Sequence, residues 1–265
     1  MNITVIGGGN MGLTYALSIH KNFDNASISI LEKDEHKITE LKNTTPFSIY
    51  NKEADCLASA DIILLAIKPQ AAVLVFEKIA QLVTPEKIII SIMAGVTMET
   101  IKDGLQAPKI VRAMPNLPAQ LGKGVTGYMI SESISENEAL QIQHILSATG
   151  KAIRVYKEDD IDAITALSGS GPAYVFYFMN AMMEQAKTYG FSENDAKEIV
   201  LHTFLGTSNL FENSDDNAQL WIDKVTSKGG TTHAALTSFK SDHLDKKIQK
   251  GVNAAFERAK ELAKS

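Results

Sequence analysis

Two glycine-bearing stretches of the chain can turn backbone amides onto an anion. The first, Gly7-Gly8-Gly9-Asn10-Met11-Gly12, follows the apolar run Ile3 to Ile6 and opens a helical pattern from about Asn10 to Asn22. This is G-x-G-x-x-G with a strand behind it and a helix ahead, the context that gives the pattern its meaning. Gly7 permits the tight turn, Gly9 leaves room for a pyrophosphate to approach the backbone, and Gly12 lets helix and strand pack closely. The phosphates would rest on free N–H groups at the positive end of the helix dipole. Glu32 closes the next β-rich run, Ser27 to Glu32, twenty residues beyond Gly12. A carboxylate there accepts from ribose hydroxyls and repels a 2′-phosphate, so the coenzyme expected is NADPH or NADH, with Glu32 leaning toward NADH. The adjacent Lys33 has the reach to turn toward a phosphate instead. Ala66-Ile67-Lys68-Pro69 ends a further run, at the carboxyl edge where open α/β sheets bind ligands, and Lys68 there suits a ribose or phosphate oxygen. Ser91 to Val96 ends another run in the same row and is expected on the nicotinamide side.

The second stretch, VTSKGGTTHAAL at residues 225 to 236, interrupts an otherwise helical region. Gly229 and Gly230 with Ser227, Thr231 and Thr232 read either as a simple turn before a helix N-terminus or as an anion cradle. In the cradle, glycine backbone angles closed to other residues let successive N–H groups converge where the helix of Thr231 to Phe239 begins, and Lys228 adds a positive field. The six histidines are scattered without metal-ligand spacing, and His233 reads most simply as a helix-surface residue. No metal site is expected. Cys56, the single cysteine, has no partner that would mark it as a nucleophile and excludes an internal disulfide.

The elements that must position these residues change in texture near Tyr156. Before it, short β-rich runs alternate with helices: Ile3 to Ile6, Ser27 to Glu32, Ile62 to Ile67, Ile88 to Met93, Lys109 to Ala113, Gly124 to Ile130 and Ala152 to Val155. Strands of this length between helices predict parallel βαβ units. After Asp160 there are only long helical periodicities: Pro172 to Tyr189, a capped start at Ser192 running to about Phe211, and Asp242 to Lys264. The predicted fold is α/β, with a Rossmann-type dinucleotide-binding domain at residues 1–156 and an all-helical domain at 157–265. The helix containing Tyr174 to Met183 is apolar nearly all round, which predicts burial on more than one side, either against a second copy of the chain or as the central helix of a monomeric bundle. A length of 265 residues, 45% hydrophobic and 22% charged with net charge −5, describes a globular protein without the basic surface nucleic acid demands. No run reaches the ~20 apolar residues of a membrane span. With no leader-like N-terminus, the expected location is the cytoplasm.

Four stretches in this order, Gly7 to Gly12, VRAMPNLPAQLGKGVTGY (111–128), ALSGSGPAYVFYF (166–178) and VTSKGGTTHAAL, resemble the pyrroline-5-carboxylate reductase family over almost the full chain. The last two are its specific part. The resemblance implies a helical domain that interlocks with a second subunit in a homodimer or higher oligomer. It also implies reduction of a cyclic imine by NADPH or NADH in the last step of proline synthesis. By position it puts Asn51, Ile67, Lys68 and Ala94 beside the dinucleotide. Beside the imino-acid substrate it puts Glu158, Thr231 and Thr232, with Ser227 in the same loop. Thr232, Ser227 and Glu158 are then the residues expected nearest the chemistry. Three departures stand out: Lys228 where the family more often has proline, Glu32 where phosphate-binding members favour small or basic residues, and one extra residue between Leu220 and Val225.

Such a substrate accounts for a missing acid. Ketone reduction needs a proton donor, and 3-hydroxyacid-type dehydrogenases of similar layout carry a lysine or histidine on the helix after their glycine motif. Gly169 to Phe176 has neither. A cyclic imine arrives already protonated near neutral pH, so hydride addition needs only position, with reacting atoms ~3 to 3.5 Å apart. Glu158 can favour the positive iminium electrostatically, or it can simply complement a helix dipole; residue chemistry leaves both open. The alternatives are a 3-hydroxyacid-type dehydrogenase and a dinucleotide-sensing protein without turnover.

Overall fold

A computed structural model describes residues 1–264. Eight strands among them form one sheet: β1 (Asn2–Ile6), β2 (Ser27–Leu31), β3 (Ser48–Tyr50), β4 (Ile62–Leu65), β5 (Ile88–Ser91), β6 (Ile110–Met114), β7 (Gly124–Ile130) and β8 (Gly150–Arg154). Their spatial order is β3-β2-β1-β4-β5-β6-β7-β8. Every pairing is parallel except that of β6 with β7. The chain leaves β1 for β2 on one side and later returns to place β4 on the other. That reversal opens the crevice at the carboxyl ends of β1 and β4 in which doubly wound sheets bind dinucleotides.

The helices of this part are α1 (Asn10–Asn22), α2 (Glu35–Thr44), α3 (Glu53–Leu57), α4 (Ala72–Ile79), α5 (Met98–Leu105), α6 (Glu136–Ser147) and α7 (Glu158–Ile164). All four residues of β4 and of β5 are buried, as strands covered by helices on both faces must be. Alternate side chains serve opposite faces. Leu64 and Ile90 join Tyr15 and Ile19 of α1 in one core, while Ile63, Leu65 and Ile89 join Phe76 of α4 and Ile101 of α5 in the other.

The chain divides into two compact units, Met1–Gly171 with the chain from Ala255 onward, and Pro172–Ala254. The first therefore extends past Tyr156. Alpha-helix α7 and the π-helical turn Thr165–Gly169 after it belong there because Ile161 and Asp162 are buried and Ile164 presses on Gly127 of β7. Strands β4 and β5 are shorter than expected at their carboxyl ends: β4 stops at Leu65 and β5 at Ser91, and after the last bonds, from the Ala66 amide to Ile6 and the Ile92 amide to Leu65, the chain leaves the sheet.

The second unit comprises α8 (Gly171–Thr188), α9 (Glu193–Glu212), α10 (Ala218–Lys224), α11 (Thr231–Ser241) and most of α12 (Leu244–Lys264). Ser192 caps α9 through the Asp195 amide, at the expected place. The last helix begins at Leu244 rather than Asp242, because His243 takes a left-handed φ of 52° that separates α11 from α12. Of the 18 residues of α8 only Ala186 is buried, and Phe176 and Tyr177 are 60% and 77% exposed. A single copy thus leaves bare the helix whose sequence demands cover. No helix among the described residues is long and apolar enough to cross a membrane.

Candidate active site

At the end of β1 the chain turns through Gly7, whose φ is +102° and where a Cβ would lie 2.6 Å from the Ala66 carbonyl oxygen, so a side chain is excluded. A Cβ at Gly12 would lie 2.0 Å from the Gly7 carbonyl, so α1 meets the strand here at glycine distance. Gly9 differs: a Cβ there would meet nothing within 4 Å, and its φ of −74° is open to any residue. Gly9 is also the N-cap of α1, with no side-chain cap and no acidic residue in the first turn. The first helical bond runs from the Leu13 amide to the Gly9 carbonyl at 2.9 Å, leaving the amides of Asn10, Met11 and Gly12 directed outward. Open space in front of uncapped amides is what a pyrophosphate requires. These residues fit a dinucleotide.

Glu32, just past β2, fastens this loop. Its Oε2 accepts from the Gly8 amide at 3.0 Å, and its Oε1 accepts from the amides of Lys33 at 2.7 Å and Asp34 at 3.1 Å. The Gly8 amide is therefore committed to Glu32, while Asn10 to Gly12 remain for phosphate. Lys33 Nζ donates to the Asn51 carbonyl at 2.5 Å and pairs with Glu53 at 2.9 Å. Burial works against the charge on Glu53, but Lys33 and the Glu53 amide outweigh it and hold the carboxyl below its usual range. Glu32, Lys33, Glu53, Ile67 and Lys78 line a cavity of about 100 Å³ with Gly7. Lys68 is exposed and leads into the turn Pro69–Ala71, with Pro69 at its first position. Ala66, Ile67 and Ala94 are half-buried at the same sheet edge.

Glu158 begins α7 and has both carboxylate oxygens engaged. Oε1 accepts from the Met98 amide at the start of α5 at 2.9 Å, and Oε2 meets Nη1 of Arg112. Arg112, inside β6 and 1% exposed, also donates through Nη2 to Asp162 at 3.2 Å. Burial pulls the guanidinium pKa down and Asp162 opposes that. Glu158 and Asp162 lie four apart on one face of α7, so one helix supplies both partners. Sequence reasoning passed over Arg112 and Asp162, although an arginine inside the apolar run Ile110 to Met114 signals a buried cation in need of carboxylates. It also passed over Asn116, whose Nδ2 donates to Ser168 Oγ at 2.9 Å and whose Oδ1 accepts from the Val125 amide at 2.8 Å. That residue joins the MPN segment to the π-helical turn, two of the stretches that carry the family resemblance.

In the second unit, Ser227-Lys228-Gly229-Gly230 forms a turn closed by the Gly230 amide on the Ser227 carbonyl at 3.0 Å. Gly229, third in the turn, has φ +74°, the left-handed value of a type II turn. Lys228 holds the second position, the one proline favours. Gly230 is the N-cap of α11 without any side-chain cap, and a Cβ on it would lie 2.5 Å from Ser227 Oγ. The first helical bond runs from the Ala234 amide to Gly230 at 3.1 Å, so the amides of Thr231, Thr232 and His233 are open. Both threonines and Ser227 stand around them. Ser227, Gly229, Gly230, Thr231 and Thr232 lie together in the second unit, whereas Glu158 and the residues expected beside the dinucleotide belong to the first. Among the described residues no group of three His, Cys, Asp or Glu side chains could hold a metal ion.

Comparison with known proteins agrees with this layout. A family model described as NADP oxidoreductase coenzyme F420-dependent matches residues 2–95, and one described as pyrroline-5-carboxylate reductase dimerisation matches residues 158–262. Pyrroline-5-carboxylate reductase of Pseudomonas aeruginosa is 33% identical over 98% of this chain and 96% of its own length. The Coxiella burnetii pyrroline-5-carboxylate reductase structure superposes with a TM-score of 0.92 at 33% identity, covering 100% of this chain and 99% of that one. The Plasmodium falciparum enzyme, solved with NADP bound, gives 0.87 at 26% identity, covering 99% and 98%. With relatives matched end to end at this identity, the chain belongs to the pyrroline-5-carboxylate reductase family.

Proposed function

We propose that this chain reduces 1-pyrroline-5-carboxylate to L-proline with NAD(P)H, as a homodimer in the cytoplasm, completing proline biosynthesis. The observation that carries the proposal is the pair of uncapped helix N-termini, one in each unit: α1 behind Gly9 for a pyrophosphate, and α11 behind the Gly229-Gly230 turn for a carboxylate. Bound NAD(P)H supplies the hydride. The chain's own residues supply position. The amides of Thr231 and Thr232 take the substrate carboxylate, with the hydroxyls of Ser227, Thr231 and Thr232 completing its shell. This fixes the ring by one handle, and orientation alone is worth several powers of ten in rate. No side chain need deliver a proton, because the iminium nitrogen already carries one and hydride addition neutralises it. Glu158, the carboxylate opposite Arg112, favours the cationic iminium over the neutral imine. It also holds the start of α5, and through it the segment after Ala94.

The test is coenzyme oxidation followed at its absorbance with 1-pyrroline-5-carboxylate, beside a 3-hydroxy acid assayed in the oxidative direction. Turnover with the imine alone is expected. Turnover with the hydroxy acid, or coenzyme binding without any turnover, would overturn the proposal.

A further inference from the structure

Resting on that reaction, we infer that Glu32 and Glu53 act together to select the dinucleotide without a 2′-phosphate, Glu53 by withholding Lys33. An acidic residue at the end of the second Rossmann strand stands at the ribose 2′ position. Glu32 is there and cannot turn aside, since three backbone amides hold its two oxygens at 2.7 to 3.1 Å. A 2′-phosphate would thus meet a fixed carboxylate, whereas a 2′-hydroxyl can donate to it. Lys33, the neighbouring cation that would offset the repulsion, is instead tied to Glu53 at 2.9 Å and to the Asn51 carbonyl at 2.5 Å. Glu53 is suited to the task, its side chain only 19% exposed against 53% for Lys33, so the flexible partner comes to the fixed one. The same cavity is lined by Lys78 of α4, so two carboxylates face two ammonium groups and no net positive charge remains for a phosphate. Glu32 is legible as a selector from sequence; Glu53, which touches no coenzyme in this scheme, is a positioning residue for the lysine.

The experiment is fluorescence titration of the full-length protein with NADH and NADPH separately, without substrate. The wild type should bind NADH about tenfold tighter than NADPH. Glu53→Ala should release Lys33 and tighten NADPH about fivefold while leaving NADH within twofold, and adding Lys33→Met should abolish the gain. Glu53→Gln, which keeps the side chain's shape, should act in the same direction by a smaller factor and covers a folding failure of the alanine variant. An unchanged NADPH affinity in both Glu53 variants, or equal changes for both coenzymes, overturns the inference. So does a wild type that prefers NADPH, in which case turnover with 1-pyrroline-5-carboxylate shows that the reaction itself still stands. Absence of binding by either coenzyme would sink the assigned reaction and this selection together.

Discussion

Two glycines of one motif do separable work, and substitution divides them. Gly9→Ala adds a methyl group into open space at an ordinary φ, so stability should hold within about 0.5 kcal/mol while affinity for either coenzyme falls about tenfold or more. Gly12→Ala places the same methyl 2.0 Å from a carbonyl inside the fold and should cost about 2 to 3 kcal/mol in denaturant unfolding. Equal thermal stability loss in both would contradict the assignment of Gly9 to the ligand. In the second unit, Gly229→Ala must hold φ +74° with a Cβ, a strain of about 1 to 2 kcal/mol, and should raise KM for the imine with little effect on coenzyme affinity. Glu158→Gln keeps an acceptor for the Met98 amide but removes the charge opposite Arg112. Its kcat should fall more at high pH, where the substrate is least protonated, than at low pH; parallel pH profiles for variant and wild type would remove the electrostatic role.

Elements were legible in the sequence wherever one local signal decided them. The seven β-rich runs each hold a strand, though several bounds moved, and the capped start at Ser192 and the glycine turn before α11 stand as expected, because strand burial, side-chain capping and left-handed φ each act over a few residues. What escaped depends on partners distant in sequence. The three-residue β3 exists by pairing with β2, the antiparallel β6–β7 pair by a turn that brings Val111 opposite Ile130, and the Arg112 trio by bringing residues fifty apart together. The same contrast sets a stability prediction for α6. Its cap joins Ser135 to Glu138, and Lys109 donates to Glu138 at 2.6 Å. Lys109, then Ser135, lowers the Glu138 pKa to about 2. A depressed carboxylate stabilises the fold above its unfolded pKa of about 4.3, and that contribution drains away as pH falls toward 2. Being near the surface, it should amount to about 1 kcal/mol, so urea midpoints of wild type and Glu138→Gln should converge as pH drops through this window. Midpoints that stay parallel would show that the cap carries no charge-linked stability.

At the scale of the molecule, the second unit is the part that a single copy leaves unfinished. Phe176 and Tyr177 of α8, Leu210 and Phe211 of α9 and Ile248 of α12 are all more than two-fifths exposed. Grooves of about 400 Å³ lined by Trp221, Ile222 and Val225, and of about 380 Å³ lined by Tyr177, Phe178 and Ile248, are dominated by apolar side chains. Such surface is the signature of association, and the dimerisation model matching residues 158–262 accounts for it. The wild type should sediment as a dimer or larger assembly with a Tm that rises with protein concentration, and Tyr177→Asp should shift it toward monomer; a monomeric wild type at micromolar concentration would contradict this. Each unit carries one uncapped helix start, and the proposed reaction uses both. The most direct test of that reaction is a crystal structure of the assembly with proline and oxidised coenzyme bound. The proline carboxylate should lie within hydrogen-bond distance of the Thr231 and Thr232 amides; a carboxylate held elsewhere, with those amides facing solvent, would refute the proposed function.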